Sequence, residues 1–116
     1  MTPEELRNRT QTFAVDVTRM AKPLFADLAT RNPANQLCRS ATAAAANYRA
    51  ACLSKSRADF ISKLSTVVEE ADETVYWLEL IRDTTPSALP PVALLDEARQ
   101  LVRIFAASLR TAKRRK

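Results

Sequence analysis

The sequence predicts an all-α fold, an antiparallel up-down four-helix bundle, on three observations. Glycine is absent from the 116 residues, whereas a β-protein of this size needs it for the positive-φ positions of tight hairpins. Val, Ile and Thr are too scattered for the period-two alternation of strands. Apolar residues recur instead at three- and four-residue spacing in four stretches, the mark of a helix with one buried face. The length suits one domain with a single core, and 47% hydrophobic residues excludes a disordered chain.

The first helix is predicted from about Pro3 to Leu28. Thr2 is its N-cap, Pro3 suits the first helical position, and Glu4 and Glu5 complement the helix dipole. Its stripe reads Leu6, Thr10, Phe13, Val17, Met20, Leu24, Leu28. Pro23 is expected to kink it or end it early, which leaves a three-helix core with a broken first helix as the alternative fold. Asn32-Pro33 resembles a cap followed by a proline, opening a second helix that runs to about Leu53. The core face there is Leu37, Ala41, Ala44, Tyr48 and Ala51, and the consecutive alanines Ala43 to Ala46 let a neighbouring backbone approach closely.

Ser56-Arg57-Ala58-Asp59 has the form of a capping box opening the third helix, whose stripe is Phe60, Leu64, Val67, Ala71, Val75, Leu78. Thr84-Thr85-Pro86-Ser87 breaks it. Pro90-Pro91 begins the fourth, with Leu94, Leu95, Ala98, Leu101, Val102, Phe105 and Leu109 inward. The apolar pattern ends near Ala112, which divides the chain into a bundle over residues 1–112 and a basic tail over 113–116.

Charge is distributed unevenly. Residues 1–27 balance, while residues 28–58 hold Arg31, Arg39, Arg49, Lys55 and Arg57 and no acid. Residues 59–83 hold Asp59, Glu69, Glu70, Asp72, Glu73, Glu79 and Asp83 against Lys63 and Arg82. The last seven carry Arg110, Lys113, Arg114, Arg115 and Lys116, so the net charge of +5 equals that of the tail.

Several function classes find no support. Histidine is absent, which removes the usual zinc sites and histidine-based catalysis. Cys38 and Cys52 fall on one helix about 21 Å apart, too far to pair within it, and unpaired thiols suit a reducing cytoplasm. The N-terminus is polar, unlike a signal peptide, and no apolar run is long enough to span a bilayer. The carboxylates of the third helix point outward and lack the Glu-x-x-His pattern of di-iron bundles. Ser40, Ser56 and Cys52 have no base beside them. No enzyme activity, cofactor or metal is expected.

Two outer faces remain to be explained. On the third helix Glu69, Glu73, Tyr76, Trp77 and Leu80 lie away from the core stripe; on the second, Arg39, Arg49, Thr42, Ala46 and Leu53 do. Unlike patches of this kind favour a head-to-tail contact between copies that closes into a ring. The alternative is that the aromatics flank their own core and the charges pair between adjacent helices.

The segments Gln36-Leu37-x-Arg39-Ser40, Ala46-Asn47-Tyr48-Arg49, Ser56-Arg57-Ala58-Asp59-Phe60, Glu69-Glu70-Ala71-Asp72-Glu73-Thr74 and Tyr76-Trp77-Leu78-Glu79-Leu80 resemble a known family. It is that of the bacterial four-helix-bundle proteins associated with intervening sequences in large-subunit ribosomal RNA genes. That family is related to accessory proteins of diversity-generating retroelements. The resemblance implies a homo-oligomer, a pentameric ring. It also implies RNA or a reverse transcriptase as possible partners.

Nucleic-acid binding is the positive expectation from the residues themselves. The candidates are Arg31, Arg39, Arg49, Lys55 and Arg57, with Arg110, Lys113, Arg114, Arg115 and Lys116 of the tail. Such a cationic set holds phosphates without reading sequence, and no aromatic recognition motif for bases is present. The rival class is a structural oligomer that serves protein partners only.

Overall fold

Local signals start α1, α2 and α3 in the computed structural model, which describes residues 1–85 and 92–115. Helix α1 runs Pro3–Ala21, followed by a 3-10 turn Lys22–Ala26; α2 runs Leu28–Cys52, α3 Arg57–Thr84 and α4 Val92–Arg114. The capping box of α1 is complete: the Thr2 hydroxyl accepts from the Glu5 amide at 3.1 Å, and the Thr2 amide donates to the Glu5 carboxylate at 3.2 Å. The Ser56 hydroxyl caps α3 through the Asp59 amide at 3.1 Å. The expected start at Pro90-Pro91, and Pro86 and Ser87, lie outside the described residues.

The α1–α2 junction departs from expectation in an instructive way. Pro23 does end the first helix early, by tightening it into the 3-10 turn. The second helix then starts not at Asn32-Pro33 but at Asp27, whose carboxylate accepts from the Ala29 amide at 3.0 Å. Pro33 sits in the second turn of α2, where it forfeits one backbone bond. Two side chains tie the turn down. The Thr30 hydroxyl donates to the Leu24 carbonyl at 2.6 Å, and Arg31 Nε to the Phe25 carbonyl at 3.1 Å. Leu28, expected at the end of the first core stripe, is therefore the first residue of α2 and 81% exposed.

The core forms where the four stripes meet. Leu6, Phe13, Val17 and Leu24 pack with Leu37, Ala41 and Tyr48 of α2, Leu64, Val67, Leu78 and Ile81 of α3, and Leu95, Leu101 and Phe105 of α4. The Tyr48 and Phe105 rings lie 5.2 Å apart, tilted by 46°. Each fully buried side chain of this size contributes about 1.5–3 kcal/mol. The most extensive packing is between α2 and α3, and α2 buries the small residues Ala34, Ala41, Ala44 and Ala51. Two polar residues not foreseen as core lie in that seam. The buried Ser40 hydroxyl donates to the Leu37 carbonyl at 3.1 Å and accepts from Thr74 at 2.9 Å, so neither is left unpaired.

Each helix runs antiparallel to the next. Arg57 at the start of α3 reaches the Ala112 and Lys113 carbonyls at the end of α4, at 3.0 and 2.9 Å, while Arg99 of α4 meets Glu79 of α3 at 2.8 Å. A fork from Arg9 to Glu97, at 2.7 and 2.6 Å, closes α1 onto α4. The result is an all-α four-helix bundle with extents of 49 × 20 × 19 Å. No described helix is long and apolar enough to cross a membrane.

Candidate nucleic-acid interface

What holds each cation decides which of them can meet a ligand. Arg39, expected on both the nucleic-acid and the oligomer surface, is engaged within its own chain. Its guanidinium pairs with Glu70 at 3.3 Å and with Glu73. Glu73 also accepts from Trp77 Nε1 at 3.0 Å. The Trp77 N–H first, and Arg39 after it, hold the Glu73 carboxyl below its ordinary value. Arg9, Lys63, Arg82 and Arg99 each pair with a carboxylate.

Two further candidates are engaged by backbone. Arg31 is bound to the Phe25 carbonyl. Arg57 bonds the carbonyls at the end of α4, where a cation also complements the helix dipole. Within one chain Arg31 and Lys55 are not neighbours. Arg31 lies near the start of α2 and Lys55 just past its end, about 30 Å away at helical rise.

Among the described residues, the remaining cations have no carboxylate partner: Arg7, Arg19, Lys22, Arg49, Lys55, Arg103, Arg110, Lys113, Arg114 and Arg115. All but Arg103 fall in two adjoining places. One is the end of the bundle where the α2–α3 turn meets the end of α4, holding Lys55, Arg110, Lys113, Arg114 and Arg115, all exposed. Helix α4 continues to Arg114, so Lys113 and Arg114 are its last turn; Lys116 lies outside the described residues. The other place is a groove of about 1020 Å³ between α1 and α2. Arg7, Arg19, Lys22 and Arg49 border it, and no acid lines it.

Arg7, Arg19 and Lys22 were not among the sequence candidates. Their segment sums to zero, because Glu4 and Glu5 sit in the first turn of α1, Asp16 faces outward and Asp27 caps α2. The signal that finds them is helical spacing: Arg7, Gln11, Val15, Thr18 and Lys22 recur every three or four residues on one face.

The second outer face is less exposed than expected. Trp77 is half-buried against the core, and Leu80, expected opposite it, is also half-buried. Tyr76 remains 54% exposed, edge-on to Trp77 at 4.9 Å. Glu69 is exposed.

The chain is thus an all-α four-helix bundle with a cationic end and an acid-free groove between α1 and α2. The model of the 23S rRNA-intervening sequence protein family matches residues 5–88, and the chain belongs to that family. It is also similar to a protein of unknown function from the S23 ribosomal protein family of Bacteroides thetaiotaomicron, known as a crystal structure. That likeness has 28% identity and a TM-score of 0.81, over 95% of this chain and 99% of that one. No curated protein matches the sequence.

Proposed function

We propose that this protein binds structured RNA, or a ribonucleoprotein, and does no chemistry of its own. The observation that supports the reading is the sorting of its cations. Arg39 and Arg99, on the α2–α3 and α3–α4 flanks, are neutralised by the fold's own carboxylates, and all but one of the cations left without a carboxylate among the described residues fall at the α4 end of the bundle or along the α1–α2 groove. Unneutralised arginines and lysines displace the counterions of a phosphate backbone, which gives affinity without sequence preference. The family's printed description, which refers to 23S rRNA, agrees with such a ligand. In an assembly of several copies these surfaces would be pooled and a weak contact multiplied.

Retention on RNA tests this reading. The wild-type chain should bind at about 50 mM salt and release as salt rises. Replacing Arg110, Lys113, Arg114 and Arg115 with Gln, which keeps the length of α4, should weaken it strongly. Absence of retention at low salt would reject the reading.

A second reading, a scaffold oligomer for protein partners such as a reverse transcriptase, is favoured by Tyr76 and by Leu53, which is 72% exposed. Light scattering addresses assembly, with a 12.9 kDa species as the outcome against it. Tyr76→Ala is the cleaner probe, because replacing Trp77 also removes core packing.

A further inference from the structure

The α1–α2 groove has a shape and a set of functional groups that select among nucleic acids. Its apolar lining is mostly small, Ala14, Ala45 and Ala46, with Val15 and Leu53 the larger apolar side chains, and Thr18 and Thr42 stand beside them. Two pairs of cations stand at its ends. Arg7 and Arg49 line it where α1 begins and α2 ends, as the antiparallel run of the two helices requires. Arg19 and Lys22 lie about 18 Å or more further along α1.

We propose that this groove holds one phosphate strand of a double-stranded RNA, reading its shape rather than its bases. The proposal rests on the RNA-binding reading above and assigns it a site and a form of ligand. Packed helices lie about 8–10 Å apart, axis to axis, so only a ridge one strand wide can settle between them. A phosphodiester strand on the outside of a duplex is such a ridge. Single strands are held chiefly by stacking on aromatic side chains, and no aromatic residue lines the groove. An acidic protein segment would need a deep apolar anchor to bind well, whereas the apolar lining here is mostly alanine. The Asn8 and Gln11 amides beside the cations can donate to phosphate, and the Thr18 and Thr42 hydroxyls, whose protons go to the Ala14 and Cys38 carbonyls, can accept from a 2′-hydroxyl, the contacts by which duplex RNA is held.

The test compares two double variants, Arg7→Gln with Arg49→Gln and Arg19→Gln with Lys22→Gln. A third variant, Thr42→Glu, places a carboxylate in the groove. None of these side chains joins an ion pair among the described residues, and circular dichroism would verify that each variant folds. The probes are a short RNA duplex, a DNA duplex of the same sequence, one of the RNA strands alone, and poly-glutamate as competitor. Each double variant should lower the slope of log affinity against log salt by about 1.8 for the RNA duplex. Thr42→Glu should weaken duplex binding at least tenfold, and duplexes of unrelated sequence should behave alike.

Wild-type affinity from all three variants, with binding lost when the α4 arginines and lysines are replaced, would overturn the groove proposal and leave RNA binding standing. No RNA binding by the wild type would sink both. Tighter groove-dependent binding of the single strand, equal binding of the DNA duplex, or displacement by poly-glutamate would each overturn the assignment to double-stranded RNA.

Discussion

Arg39 and Arg49 lie on the same helix, in the acid-free stretch of the sequence, and end in opposite circumstances. Arg39 faces α3 and meets Glu70 and Glu73. Arg49 faces α1, where the nearest charged neighbours along the groove are cations. One side of α2 uses its charge to hold the bundle together; the other keeps it available for an outside partner. A positive helix is thus two surfaces, and only the neighbour on each side tells them apart.

The comparison can be broken most severely through what both sides share. Leu37 is fully buried on α2, and Leu37→Ala should cost about 2–5 kcal/mol. Chemical denaturation should still follow one transition; two transitions would mean that the α1–α2 and α2–α3 sides do not share a core. The next effect is smaller and one-sided. Arg39→Ala should destabilise only slightly, because the pair is solvated, and should leave RNA retention unchanged. Arg49→Ala should reverse the pattern, with stability within about 0.5 kcal/mol of wild type and weaker retention.

Acid should dissect the paired side. The Glu73 carboxyl is held below its ordinary value of 4.5 by the Trp77 N–H and Arg39. The stability it contributes is therefore present above that pH and is lost as pH falls below it towards the folded-state value. The stability gap between wild type and Glu73→Gln should shrink across that interval. A gap that stays constant, or widens in acid, would show that the Trp77 N–H and Arg39 do not favour the charged carboxylate of Glu73.

Features set by one helix's own spacing were legible in the sequence. The α2 stripe Leu37, Ala41, Ala44, Tyr48, Ala51 is buried throughout, and Thr2 and Ser56 cap as their neighbours imply. Features that need a second helix were not. Ser40 and Thr74 look like surface residues until they face each other across a seam. For the start of α2, Asn32-Pro33 is the stronger local signal, yet Asp27 caps the helix. Asp27 is chosen only once Leu24 is buried and Thr30 can reach its carbonyl. The groove stayed hidden because charge summed along a segment averages over faces that point in different directions.

The most direct measurement is the salt dependence of RNA-duplex affinity, taken for two variants differing only in which cations are lost. Replacing Arg7 and Arg49 with Gln should reduce the log–log slope by about 1.8, one released counterion per lost phosphate contact. Replacing Arg39 and Arg99, which already have carboxylate partners, should leave it unchanged. Equal reductions in both variants, or a reduction in the second alone, would contradict the claim that the fold's own ion pairs decide which cations meet RNA.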